Sequence, residues 1–112
     1  MQELIKKLRV FAIERDWEQF HSPKNISMAL AVEIAEIMEH FQWLTEEQSC
    51  NLDQKTLEKV KEEIGDTQIY LARLADQLGI DPLVVANEKL AKNAIKYPIE
   101  KARGRKNKYN KL

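Results

Sequence analysis

From Met28 to Met38 the chain reads MALAVEIAEIM, in which every residue is apolar except Glu33 and Glu36. A helix that is apolar nearly all round belongs inside a packed protein rather than on its surface. The rest of the chain must therefore be built around it. The two carboxylates are the anomaly in this segment. At i,i+3 spacing they share one helical face, and burying an uncompensated carboxylate costs roughly several kcal/mol. A second stretch, VKEEIGDTQIYLARLADQL, repeats the spacing with Glu63 and Asp66, after 26 intervening residues. Two such pairs on facing helices would offer only oxygen ligands, the donor set of a hard divalent cation such as Mg²⁺.

The remaining periodicities predict four helices and nothing else. Residues 2–16 carry Leu4, Ile5, Leu8, Phe11 and Ala12 at helical spacing. Ser22-Pro23 breaks the chain before a second helix, expected from Lys24 or Asn25 to Trp43 with Asn25 or Ser27 as its cap. Residues 45–54 are polar and read as a connection. A third helix is expected from about Lys55 to Leu78, with its apolar stripe through Val60, Ile64, Leu71, Leu74, Ala75 and Leu78. Glu63, Asp66 and Tyr70 fall on a strip beside that stripe. Gly79 is placed to end the helix as its C′ residue. Asp81-Pro82 has the form of an N-cap followed by Pro at N1, opening a fourth helix that runs to about Tyr97, ahead of Pro98. From about residue 100 the chain is a basic tail, expected to be extended or partly disordered when free. The expectation is one all-α domain over residues 1–112, a four-helix bundle. One such chain cannot bury every face of its second helix, so a homo-oligomer is expected, a dimer or a dimer of dimers.

Composition narrows the classes further. Three Gly and three Pro in 112 residues are too few for the many turns of a sandwich or barrel. No apolar run approaches the ~20 residues of a membrane span, and the N-terminus lacks a signal-peptide core. The lone Cys50 excludes an intrachain disulfide framework and a cysteine zinc site. A cytoplasmic protein with no membrane partner is the expectation. The zero net charge hides an asymmetry. Residues 1–88 carry 17 acidic and 9 basic side chains, a net of −8, whereas residues 89–112 carry 9 basic side chains against Glu100 alone, a net of +8. An anion that also needs a metal, such as a nucleotide phosphate, suits both halves; so does a basic end lying on an acidic face. Lys89, Asn93 and Lys96 recur at i, i+4, i+7 and would share one face, able to grip phosphates. The tail cations Arg103, Arg105, Lys106 and Lys108 would either close over the same phosphates or serve as solubilising charge.

The arrangement Glu33-x-x-Glu36 and Glu63-x-x-Asp66 resembles the E-x-x-E and E-x-x-D signature of the MazG-like all-α nucleoside triphosphate pyrophosphohydrolases. Arg15 to Asn25 (RDWEQFHSPKN), Phe41 to Trp43, Ile69 to Leu71 and Lys96 to Pro98 are similar to the single-domain dCTP pyrophosphatase branch. The resemblance implies Mg²⁺, with Mn²⁺ as a substitute, held by Glu33, Glu36, Glu63 and Asp66. It implies hydrolysis of dCTP or a related dNTP between the α- and β-phosphates, with Glu33 or Glu36 as the base, and a role in clearing non-standard nucleotides. It also implies a nucleoside enclosed by Trp17, Glu18, Gln19, Phe20 and His21 together with Trp43 and Tyr70.

Two rival readings use the same residues. A ferritin-like di-iron bundle needs two Glu-x-x-His elements; only Glu18-x-x-His21 has that spacing, and His40 lies four residues after Glu36. A non-enzymatic helical adaptor or nucleic-acid-binding protein would use the basic tail, but the acidic body would repel a duplex, so no nucleic-acid partner is expected.

Overall fold

The computed structural model describes residues 1–105. Lys106, Lys108 and the rest of the tail lie outside the described residues. Among those described, every regular element is helical. They are α1 (Gln2–Glu14), a 3₁₀ turn (Glu18–Phe20), α2 (Pro23–Glu39), α3 (Glu46–Ser49), α4 (Gln54–Gln77), α5 (Pro82–Lys96) and α6 (Ile99–Ala102). The chain forms two compact units, the first from Met1 to Ile80 and the second from Asp81 onward.

In the first unit α4 packs against both α2 and α1. Local chemistry explains where each helix starts and stops. Ser22 is the N-cap of α2: its side chain accepts from the Asn25 N–H at 3.1 Å, and Pro23 occupies N1. The Ser-Pro pair thus opens this helix instead of standing before a cap at Asn25 or Ser27. Proline at N1 sacrifices only an N–H that has no helical acceptor. The helix also ends at Glu39 rather than Trp43, and His40 to Leu44 form turns. The polar connection holds a short helix. Thr45 and Gln48 form a capping box, the hydroxyl accepting from the Gln48 N–H at 3.1 Å and the amide oxygen from the Thr45 N–H at 2.9 Å. Asp53 then caps α4 through the Thr56 N–H at 2.7 Å.

Both ends of the α1–α4 pair close with left-handed residues. After α4, Gly79 (φ 68°) donates to the Asp76 carbonyl, and Ile80 donates to the Ala75 carbonyl at 2.8 Å. This is the Schellman pattern expected of a C′ glycine. After α1, Asp16 (φ 53°) plays the same part, with Asp16 donating to Ile13 and Trp17 to Ala12. A residue with a Cβ pays roughly 1–2 kcal/mol for that conformation, and here it turns the chain so that Trp17 follows directly.

The core is small: Ile5 and Ala12 of α1, Ile26 of α2, and Val60, Ala72 and Ala75 of α4 are buried. The α4 stripe read from the sequence needs correction, because Ile64, Leu71 and Leu78 are exposed. Burial instead follows Val60, Ala72, Arg73 and Ala75, small residues that let a neighbouring helix approach, and an arginine that was not expected inside. Likewise α2 does not bury most of its sides within the chain; Met28, Val32, Ile34 and Met38 are all exposed. In the second unit, Asp81 caps α5 by accepting from the Leu83 and Val84 N–H groups, and Pro82 follows at N1. The start of the basic tail is helical as α6 rather than extended.

Candidate active site

Helices α2 and α4 run antiparallel, as two contacts at opposite ends show. His40 Nε2 lies 2.8 Å from Glu63 Oε2 at one end, while Ile26 and Ala29 share a cavity wall with Tyr70 at the other. Between these ends stand Glu33 and Glu36 of α2 and Glu63 and Asp66 of α4. Glu33 holds its proton more tightly than an ordinary glutamate; burial is the main cause, followed by the charge of Glu36 and a hydrogen bond with it, and then by the charges of Asp66 and Glu63. The four carboxylates therefore act on one another, which their spacing in the sequence suggested but could not establish.

Oxygens on both helices are left over. Glu33 Oε2 and Glu63 Oε2 are buried without a hydrogen bond. His40 Nε2 lies 2.8 Å from Glu63 Oε2, a contact that forms no hydrogen bond to that oxygen. Buried acceptors without donors are costly, roughly 1–3 kcal/mol each and more when charged. An all-oxygen donor set with two orphaned members fits a hard divalent cation. Among the described residues, no three His, Cys, Asp or Glu side chains are drawn together as a ready-made metal cage.

Two cavities share His21 and Tyr70. The first, of about 170 Å³, is lined by Leu8, Phe11, Trp17, Ile69, Tyr70 and Arg73 among others. The second, of about 250 Å³, lies over Phe20, Asn25, Ile26 and Ala29. The Trp17 ring meets Phe11 edge-on at 5.6 Å and His21 at 6.4 Å between centroids, geometry that favours aromatic rings at these distances. Trp17, Phe20, His21 and Tyr70 are thus brought together around these cavities.

Other expected contacts are placed elsewhere. Gln19 spends its amide on Asp16, donating to the backbone carbonyl at 3.0 Å and to the carboxylate at 3.1 Å. Glu18 is exposed and lines neither cavity; its charge acts on His21. Trp43 is 86% exposed and lines neither cavity. Lys89, Asn93 and Lys96 share a face of α5 in the second unit.

Two neighbours of the site were not among the expected site residues: His40, weighed in the sequence only as an iron ligand, and Arg73. His40 follows Glu33 and Glu36 on the same i, i+3, i+7 stripe, a signal that was legible. Arg73 sits in the apolar run YLARLA, a charge among apolar residues of the kind that drew attention to Glu33. It is 3% exposed, and its Nη2 lies 3.3 Å from His21 Nδ1.

A helical pair carrying an acidic quartet beside an aromatic-walled cavity defines a class, and the sequence assigns it: residues 28–112 match the MazG-like family, to which this chain belongs. Its relatives include human dCTP pyrophosphatase 1, 38% identical over 113 residues, and the mouse protein of the same name, 39% identical over 113 residues. Both alignments cover 98% of this chain and 66% of the relative, so the chain spans just under two thirds of their length. The crystal structure of a pyrophosphatase from Archaeoglobus fulgidus superposes with a TM-score of 0.78 at 38% identity, over 88% of this chain and 92% of that one. No described helix is long and apolar enough to cross a membrane.

Proposed function

We propose that this chain hydrolyses a (deoxy)nucleoside triphosphate between the α- and β-phosphates, releasing a nucleoside monophosphate and pyrophosphate, with dCTP or a related dNTP as substrate. The observation that carries the reading is the pair of buried carboxylate oxygens without a hydrogen bond, Glu33 Oε2 and Glu63 Oε2, on helices whose Ala29 and Tyr70 line a cavity with Phe20 and His21. The names of the relatives support the same chemistry.

In this reading Glu33, Glu36, Glu63 and Asp66 hold Mg²⁺, or Mn²⁺ in its place. The bound ion supplies positive charge against the triphosphate and polarises the attacking water. The residues do the rest. A carboxylate of the α2 pair takes the water proton as its oxygen bonds to the α-phosphorus, while the bond from phosphorus to the bridging oxygen breaks and pyrophosphate leaves. Glu33 or Glu36 is the candidate for that base. Trp17, Phe20, His21 and Tyr70 enclose the nucleoside. Lys89, Asn93 and Lys96, which recur along one face of α5, have the chemistry to bind a phosphate group.

The exposed apolar faces of α2 (Met28, Val32, Met38) and α5 (Leu90, Ile95) support a homo-oligomer in which such faces are covered. Light scattering on the purified protein tests that arrangement, a monodisperse monomer counting against it. The activity is tested with Mg²⁺ and a panel of dNTPs: pyrophosphate and monophosphate are expected. Orthophosphate release, or turnover that persists in a chelator, would sink the mechanism.

A further inference from the structure

His40 Nε2 stands 2.8 Å from Glu63 Oε2, close enough for a charge-assisted hydrogen bond. None is made, and that buried oxygen has no other hydrogen-bond partner. A nitrogen and an oxygen are thus held together across α2 and α4 without a bond between them. Two donor atoms that serve one ion stand in this way. At ligand distances of about 2.1 Å and right angles, neighbouring ligands of a six-coordinate ion are about 3 Å apart. Each then directs its lone pair at the ion and not at the other ligand.

The backbone of α2 places a third ligand beside this pair. His40 is the C-cap of the helix but keeps helical dihedrals, φ −75° and ψ −18°. It therefore stays on the face of Glu36, one turn earlier at i,i+4. That spacing is the one at which two side chains of a single helix chelate one ion. Completing the set takes a change of rotamer at Glu36, because among the described residues no three such groups are already drawn together.

The surroundings favour a cation here. The C-terminal end of a helix carries partial negative charge, and the last turn of α2 holds no basic residue to occupy it. His40 also borders a cavity of about 250 Å³ together with Gln48, Asn51 and Thr56. Polar groups of this kind are what a ligating histidine uses to hold the proton of its other ring nitrogen and fix its tautomer.

We propose that His40 is a metal ligand whose Nε2, with Glu63 and Glu36, forms a mixed nitrogen–oxygen subsite that binds a first-row transition ion such as Mn²⁺ more tightly than Mg²⁺. Imidazole is a ligand for transition ions, whereas Mg²⁺ keeps to oxygen and holds its water. The assignment rests on the metal-dependent reading of the acidic quartet. It goes beyond that reading by adding a nitrogen ligand and by making the site discriminate between ions.

Mn²⁺ bound to the full chain without nucleotide is the probe, read by pulsed electron paramagnetic resonance. The loaded wild type is expected to show coupling to a directly bonded imidazole nitrogen. The chain has two histidines, so the coupling should vanish in His40→Leu and persist in His21→Leu. In calorimetric titrations His40→Leu should weaken Mn²⁺ binding by roughly ten-fold or more and Mg²⁺ binding by less than about two-fold. A wild-type spectrum without nitrogen coupling overturns the assignment whether or not either variant folds. A coupling that survives His40→Leu overturns it as well, and so does an equal loss of affinity for both ions. Failure of the enzyme reading looks different: nitrogen-coordinated Mn²⁺ in a protein that releases no pyrophosphate leaves His40 a ligand and removes the hydrolase.

Discussion

The two halves of α4 carry opposite electrostatic problems and solve them differently. The half around Glu63 and Asp66 faces two more carboxylates on α2 and leaves acceptors without donors. The half around Arg73 and Asp76 meets Arg9 of α1 and leaves one donor without an acceptor. The Arg9–Asp76 pair is internally satisfied and ties α1 to α4. The carboxylate cluster has no such partner among the described residues beyond His40. One half of α4 satisfies its charge within the chain, whereas the other leaves carboxylate oxygens without donors.

Changing the incomplete half should have the largest effect. Glu36→Gln, Glu63→Gln or Asp66→Asn should each lower pyrophosphate release by roughly a hundred-fold or more, with the thermal midpoint unchanged or raised. If two of them keep near-normal rates, the quartet is structural and the contrast collapses.

The satisfied half should fail in the other currency, stability. Asp76→Ala removes the acceptor of both Arg9 hydrogen bonds and should cost about 1–2 kcal/mol; urea unfolding measures it. The sign with pH follows from the Arg9 hydrogen bond, which holds the Asp76 pKa below its ordinary 3.8. That contribution is complete above the unfolded value and is lost as pH falls through the folded one. The gap between wild type and Asp76→Ala should therefore narrow in acid.

Gly79→Ala is a control at the end of the same helix. A Cβ at φ 68° should cost about 1–2 kcal/mol, read in urea unfolding, and leave pyrophosphate release by the folded protein untouched. A loss of turnover without a loss of stability would mean that the helix end shapes the site.

The smallest expected effect is a gain. With divalent cations chelated, Glu33→Gln should raise the thermal midpoint at pH 7 and leave it unchanged at pH 4. The Glu33 pKa is raised above its ordinary 4.5, so its ionisation costs the folded state once pH exceeds the unfolded value and costs nothing below it. A loss of stability at pH 7 would show that Glu33 is already satisfied within the chain.

The sequence made the acidic quartet legible because charge in an apolar helix is an energetic exception visible without coordinates. The same argument applied to YLARLA would have found Arg73, but a single arginine has no repeated spacing to mark it. The C-cap at Gly79 and the cap at Asp81 were readable from residue type, since only local backbone chemistry is involved. The α4 core stripe was misread at Ile64, Leu71 and Leu78. Hydrophobic periodicity locates an apolar face, but which part of it meets α1 and α2 depends on how closely those helices approach, and Ala72 and Ala75 allow the closest approach.

By itself the sequence determined that the chain is helical, that two acid pairs share spacing across two helices, and that the aromatic segment from Trp17 precedes the apolar helix. Short-range chemistry suffices for those conclusions, because period, capping and desolvation cost depend on neighbours a few residues away. Only the tertiary structure decided that Glu33 feels the acids of α4, that Asp76 belongs to Arg9, and that Arg73 and His21 meet at one cavity wall. Those pairings join residues as many as 67 positions apart in the chain, and whether a charge there is satisfied or left over depends on packing rather than on residue type.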